Sequence, residues 1–83
     1  MELNFSVAAA AQIRALPKAD AARMLTALRE IAATHPQRMA YVTEMAGQPG
    51  NWRARKGDYR AIYKITTNGI LVVQVGNRKE VYR

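Results

Sequence analysis

The chain has 83 residues, no cysteine, one histidine and a formal net charge of +7. This length predicts one domain, residues 1–83, with a single small core and no room for a separate catalytic domain. The absence of cysteine excludes disulfides and thiolate chemistry, and one histidine is too few for a histidine-based metal site.

The start of the chain gives no sign of export. Residues 1–5 lack the basic start and apolar stretch of a signal peptide. No window approaches the roughly 20 apolar residues of a membrane span. We therefore expect a cytoplasmic protein with no membrane partner.

The positive charge is concentrated in the second part of the chain. Residues 1–49 contain five Arg or Lys against four Asp or Glu, whereas residues 50–83 contain eight against two. This asymmetry favours a polyanionic partner, either nucleic acid or an acidic protein. General solubility is the alternative explanation for the charge.

The first part of the chain predicts a strand followed by a helical hairpin. Apolar and polar residues alternate over residues 2–7, as in a half-buried strand, and an alanine-rich helix is expected through about Leu16. Pro17 interrupts this helix. A second helix is predicted from about Lys18 to Thr34, because apolar residues recur there every three or four positions.

The second part predicts three antiparallel strands after an irregular connector at residues 37–50. The strands are expected at about 51–56, 59–65 and 70–76. The last of them is nearly continuously apolar, so it should be central and covered on both faces. With the first strand in the same sheet, the order is β-α-α-β-β-β and the fold class is α+β.

Turn residues mark the connections between these strands. Lys56-Gly57-Asp58 predicts a tight turn, and Thr67-Asn68-Gly69 supplies the Asn-Gly hairpin signal. Gly76 and Asn77 predict a bulge or turn that redirects the chain after the last strand.

Arginines alternate with apolar residues in two of the predicted strands. Arg53 and Arg55 in one strand and Arg60 in the next should therefore share the sheet face opposite the helices. The planar guanidinium group fits phosphate oxygens, so we expect this face to contact phosphate. Surface decoration and an acidic protein partner are the alternatives.

Aromatic residues in the same strands alternate to the other face. Trp52, Tyr59 and Tyr63 are interpreted as core aromatics, with base stacking as the alternative.

The last residues add further candidates for phosphate chemistry. Arg78 and Tyr82 follow the last strand, and we expect them at the same end of the sheet as Arg60. The alternative is that Tyr82 only caps the core and that Arg83 is a frayed end.

The order of these motifs carries a resemblance to a known family. The segments are NWRARKGDYRAIYKI and ILVVQVGNRKEVYR, preceded by a helical hairpin with Leu-Pro-Lys between its helices. In these features the whole chain resembles the RelE/ParE toxin superfamily of toxin–antitoxin systems. The resemblance implies a small, mainly antiparallel sheet with the helical hairpin on one face, and a cognate antitoxin as partner.

The RelE branch of this superfamily cleaves messenger RNA in the ribosomal A site, whereas the ParE branch poisons DNA gyrase. The Arg78 and Tyr82 ending is typical of the RelE branch, and it favours a ribosome-dependent endoribonuclease. A gyrase inhibitor and a catalytically silent antitoxin-binding module are the alternatives. The implied catalytic residues are Arg60, Arg78 and Tyr82, and the implied phosphate-binding residues are Arg53, Arg55, Lys56 and Lys79.

The expected chemistry needs no metal and no small-molecule cofactor. RNA carries its own nucleophile, the 2′-hydroxyl, so an enzyme supplies mainly orientation and charge neutralisation. We expect cleavage to a 2′,3′-cyclic phosphate, with Tyr82 as base or stacking platform. Some relatives have lysine at the position of Arg55 and histidine or lysine at the position of Asn77, which leaves the general base unassigned.

Overall fold

One five-stranded sheet with two helices on one face makes up the described part of the chain, residues 2–34, 41–45, 47 and 50–77 of a computed structural model. The helices are α1 (Val7–Arg14) and α2 (Lys18–Thr34), and the strands are β1 (Glu2–Phe5), β2 (Val42–Glu44), β3 (Asn51–Lys56), β4 (Tyr59–Ile65) and β5 (Gly69–Asn77). The strand order is β1-β5-β4-β3-β2. Strand β1 is parallel to β5, and the other neighbouring pairs are antiparallel. The predicted α+β class is confirmed.

The first strand is shorter than predicted because Ser6 caps α1. The Ser6 Oγ accepts a hydrogen bond from the Ala9 amide at 3.0 Å and donates one to the Val73 carbonyl at 3.3 Å. Val7 therefore begins the helix and is 90% exposed, although its place in the alternating pattern assigned it to the strand.

The connector predicted to be irregular contains strand β2. This strand pairs antiparallel with β3, with Val42 opposite Ala54 and Glu44 opposite Trp52. Only Val42 of its three residues is buried. Three residues are too few for an alternating pattern to stand out, which explains why the sequence did not indicate this strand.

Both predicted hairpins form, but they differ in their use of glycine. Gly57 and Asp58 connect β3 to β4, and Gly57 has a φ of 59°, a left-handed conformation that favours glycine. Between β4 and β5, neither Asn68 nor Gly69 has a positive φ, so the Asn-Gly turn is not of the primed type. Gly69 instead permits close approach, because a Cβ there would overlap the backbone of Glu2 in β1.

Strand β5 contains a bulge in its middle. Ile62 and Tyr63 of β4 pair with Gln74 and Val72 respectively, so Val73 is an extra residue. Val72 and Val75, which both lie in the core, are therefore three positions apart along β5 instead of the two of a regular strand.

The predicted bulge or turn at Gly76 and Asn77 is wrong. These two residues continue β5 in regular pairing, with Gly76 opposite Arg60 and Asn77 opposite Tyr59. Strand β5 therefore reaches the end of the sheet at which Arg60 lies.

The core lies between the helices and one face of the sheet. Trp52 and Tyr63 belong to it, which confirms their interpretation as core aromatics, and Tyr59 packs against it partly buried. Strand β5 lies between β1 and β4, as its apolar run predicts, but Leu71 is only half-buried. Neither described helix combines the length and the apolar character needed to cross a bilayer.

Candidate nucleic-acid interface

Three arginines of β3 and β4 share the sheet face opposite the helices. Arg55 pairs directly with Arg60, and Arg53 pairs with Ile62, whereas the intervening Ala54–Ala61 pair lies in the core. Alternation along each strand therefore directs the three guanidinium groups away from the helices. We call Arg53, Arg55 and Arg60 the arginine face.

Arg53 and Arg55 line a shallow polar pocket next to strand β2. The pocket has a volume of about 170 Å³, and Tyr41 and Thr43 complete its wall. Arg55 is exposed and Arg53 is half-buried. Two guanidinium groups beside the Thr43 hydroxyl form a donor-rich surface that suits a phosphate.

Arg60 differs from its two neighbours because it is 94% buried, with only 6% of its surface exposed. Its Nη1 donates to the carbonyl oxygens of Gly57 at 3.3 Å and Tyr59 at 3.1 Å. Its Nε is also buried and has no hydrogen-bond partner within the part of the chain that the structure describes. A buried donor without a partner is costly, and an anion is the acceptor that would satisfy it best. The prediction that Arg60 lies exposed on the open face of the sheet is therefore wrong. Its side chain folds back over the β3–β4 turn.

Lys56 is separated from the arginine face. It follows Ala54 in the alternation of β3 and lies on the helix side, where its Nζ is 4.0 Å from the centroid of the Tyr41 ring. The Tyr41 hydroxyl donates to Glu30 of α2 at 3.1 Å. Lys56 therefore lies on the other side of the sheet from the three arginines, although all four were predicted to contact phosphate or RNA.

Arg78, Lys79 and Tyr82 lie outside the described residues. The last described residue is Asn77, which pairs with Tyr59 next to the Gly76–Arg60 pair. The chain thus leaves the described region at the end of the sheet that holds Arg60.

A larger cleft lies between the C-terminal end of α1 and the end of β5. Its volume is about 370 Å³, and its wall includes Gln12, Leu16, Tyr59 and Asn77. Among the described residues that line it, none is cationic. Charge rather than size therefore decides which of the two cavities suits a phosphate.

The two described tyrosines with shifted pKa values are poor candidates for a general base. Burial, followed by the hydrogen bond to Glu30 and its charge, raises the pKa of Tyr41 to about 12. Burial also raises the pKa of Tyr63 above its ordinary value. Both phenols keep their protons at neutral pH. Within the described ranges, no three His, Cys, Asp or Glu side chains are placed to hold a metal ion.

The contribution of Tyr41 and Thr43 to the pocket was not predicted from the sequence. Both lie in the segment that was expected to be an irregular connector. The signal was a short one, because only Val42 is apolar between polar neighbours in Tyr41-Val42-Thr43-Glu44.

A protein-family model matches nearly the whole chain. The model describes the ParE toxin of the type II toxin–antitoxin system parDE, and it matches residues 3–82. A comparison with curated proteins gave no match.

Solved toxin structures share the fold. The archaeal RelE–RelB complex from Pyrococcus horikoshii OT3 is 28% identical over 93% of this chain and 93% of the matched chain, with a TM-score of 0.72. The isolated E. coli RelE toxin is 24% identical over 96% and 88%, with a TM-score of 0.76. YafQ from E. coli strain BL21(DE3) is 17% identical over 99% and 98%, with a TM-score of 0.74. The likeness to the two E. coli proteins is evidence for the fold alone.

Proposed function

The chain belongs to the ParE toxin family of type II toxin–antitoxin systems, and we propose that it is a cytoplasmic, ribosome-dependent mRNA endoribonuclease of the RelE type. The arginine face is the observation that carries this proposal. It carries three arginines on one face of two adjacent strands, and one of them is buried with an unsatisfied donor. A phosphate oxygen of RNA would accept a hydrogen bond from this donor and pair with the charge of the guanidinium group.

The proposed reaction uses the nucleophile that RNA itself carries. The 2′-hydroxyl oxygen attacks the adjacent phosphorus, the bond from phosphorus to the 5′ oxygen breaks, and a 2′,3′-cyclic phosphate forms. The 2′-hydroxyl loses its proton to a base, and the departing 5′ oxygen gains one. The protein therefore has to align the strand and stabilise the negative charge that develops on the phosphate oxygens.

Arg60 is suited to stabilise that developing charge. Its guanidinium group is fixed by the Gly57 and Tyr59 carbonyl oxygens before any substrate arrives. Its burial lowers the local dielectric constant, so its attraction for an anion is stronger than that of an exposed arginine. Arg53 and Arg55, which are more exposed, hold flanking phosphates in this proposal.

The remaining roles fall on residues outside the described ranges. We assign Arg78 to the phosphate together with Arg60, and Lys79 to a neighbouring phosphate. Tyr82 serves as the base or as a stacking platform for a nucleotide. These assignments follow from the resemblance of the C-terminal sequence to RelE toxins.

The proposed partners are the ribosome with messenger RNA in its A site and a cognate antitoxin. The pocket beside the arginine face holds only about 170 Å³, too little to enclose a nucleotide and distort its strand. A larger scaffold such as the ribosome would supply the missing alignment. The antitoxin is proposed because the solved relatives include toxin–antitoxin complexes.

Mapping of messenger RNA ends on ribosomes tests the proposal. Brief induction of the wild-type chain should produce new ends within translated codons, and Arg60→Ala and Arg78→Ala should each reduce them by about 10²–10³-fold. Arg29→Ala is the matched control, because it removes an exposed arginine of α2 away from the arginine face. Full cleavage by both Arg60→Ala and Arg78→Ala would overturn the proposal.

A gyrase inhibitor is the second candidate, favoured by the match to the ParE family model. It predicts no new messenger RNA ends and a loss of supercoiling when the purified protein is added to gyrase. Supercoiling inhibition that survives Arg60→Ala, without cleavage on ribosomes, would establish this candidate in place of the nuclease.

A further inference from the structure

The β3–β4 turn has a cationic side chain approaching it from the helix layer as well as from the sheet. Arg23 of α2 reaches this turn, since its Nη1 is 3.2 Å from the position that a Cβ on Gly57 would occupy. The carbonyl oxygen of the same Gly57 accepts the hydrogen bond from Arg60. One glycine therefore lies between an arginine of the helix layer and the buried arginine of the arginine face.

Lys56 adds a second cation on the helix side of this turn. It is the last residue of β3 and lies over the Tyr41 ring. We call Arg23 and Lys56 the helix-side cations. With Arg55 and Arg60 at the same end of the hairpin, four cationic side chains surround a turn of two residues.

Acidic side chains neutralise this group only in part. Asp58 lies in the turn and is exposed. Asp20 is 3.7 Å from Arg23, a long ion pair in which the Arg23 side chain keeps 56% of its surface exposed. Exposed pairs of this kind contribute little energy, so Arg23 is available to a stronger anionic partner.

We propose that Arg23, together with Lys56, binds the phosphate backbone of RNA and extends the phosphate-binding surface from the arginine face around the β3–β4 turn. The inference rests on the proposed nuclease function and adds a binding position on the opposite side of the hairpin. The strand would pass across the arginine face and turn over Gly57, where the absence of a side chain allows close approach. Sequence alternation does not indicate this position, because Arg23 belongs to a helix far from β3 in the chain.

RNA fits this surface better than a protein partner. The large hydrophobic residues that are most exposed in the described part of the chain are Val7 and Ile65. Ile65 is at the opposite end of β4 from Arg60, and Val7 begins α1. Among the described residues, the end of the hairpin thus offers charge without the exposed apolar anchor residues that protein interfaces use.

Binding to a short fluorescent RNA with methylated 2′-hydroxyls, measured over a series of KCl concentrations, tests the inference. Arg23→Ala should weaken binding several-fold and reduce the slope of log K against log salt by about 0.7, the value for one phosphate contact on a single strand. Arg29→Ala, on the same helix, should change neither quantity. Arg23→Lys should restore most of the slope, and thermal unfolding checks that each variant folds.

A second arm with ribosomes lacking messenger RNA identifies the source of the phosphates. Weaker binding of Arg23→Ala to the short RNA alone assigns them to the messenger strand, and weaker binding to the ribosomes, with or without a loss on the short RNA, assigns them to ribosomal RNA. If Arg23→Ala matches Arg29→Ala in both arms while Arg55→Ala weakens binding, the inference is overturned and the proposed function stands. If Arg55→Ala also has no effect, the phosphate-binding basis of the proposed function fails with it.

Discussion

Burial divides the three residues of the arginine face into two kinds. Arg60 has 6% of its surface exposed and is held by two backbone carbonyl oxygens, whereas Arg55 is exposed. Screening by water and salt weakens an exposed charge more than a buried one. In the proposed reaction, removal of Arg55 should therefore act mainly on substrate binding, and removal of Arg60 mainly on the rate of the chemical step.

Strand periodicity predicts the face on which each arginine lies but not its burial. Arg53, Arg55 and Arg60 were placed correctly because the side-chain period of a strand is two. The fold-back of Arg60 depends on where the Gly57 carbonyl oxygen points, which is a property of the turn. No pattern of residue types encodes that direction.

The raised pKa of Tyr41 predicts that the stability of the protein depends on pH in the alkaline range. This pKa is raised from 10.0 to about 12 by burial and by Glu30, so the folded state holds this proton more tightly than the unfolded state does. The resulting stabilisation is fully present below pH 10 and is lost as the pH rises through about 12. Urea unfolding between these pH values should show a steeper loss of stability in the wild type than in Tyr41→Phe.

Glu30→Gln provides the companion variant for this measurement. It removes the charge of Glu30, so the tyrosinate absorbance of Tyr41 should appear at lower pH than in the wild type. Burial is the largest cause of the shift, so part of it should remain. Identical alkaline titrations of the wild type and Glu30→Gln would contradict the assigned role of Glu30.

At the level of elements, the parallel pairing of β1 with β5 depends on Gly69. A Cβ at this position would overlap backbone atoms of Glu2, so Gly69→Ala must push β1 away from β5. We expect a loss of about 1–3 kcal/mol in the free energy of unfolding, the range of overpacked sites. Chemical denaturation measures this loss, and hydrogen exchange should show lower protection of the β1 amides.

Asn68→Ala is the matched control for Gly69→Ala. It changes the preceding exposed residue and leaves its backbone carbonyl oxygen free to accept the Glu2 amide at 2.8 Å. A change within about 0.5 kcal/mol is expected for such a surface site. Equal losses in the two variants would show that the turn, rather than the close approach of β1, requires glycine.

Long elements with a repeated apolar pattern are predicted from the sequence better than short strands or features that depend on the pairing of two strands. Helix α2 was predicted with its observed ends, Lys18 and Thr34, because it repeats its apolar stripe over several turns. Strand β2 was missed because it has three residues, and the bulge at Val73 was placed at Gly76 instead. Bulges depend on how two strands fit together, and this fit is not visible in either strand alone.

At the level of the whole molecule, the surface charge works against the compact state. The chain carries a formal charge of +7 on 83 residues, and Arg23 and Asp20 form only a long surface ion pair at 3.7 Å. Repulsion among like charges destabilises a small domain, whereas surface pairs of this kind add little. The same charge that suits an RNA partner should therefore lower the stability of the free protein.

Salt should consequently stabilise the free protein. Raising KCl from about 0.01 M to about 0.15 M shortens the Debye length from about 30 Å to about 8 Å and screens the repulsion. The Tm should rise, and each gain of about 1 kcal/mol corresponds to roughly 4–8 °C for a domain of this size. Arg29→Glu lowers the formal charge by two, so its Tm should rise less over the same range. A Tm that falls with added KCl in the wild type would mean that attractive ion pairs outweigh the repulsion.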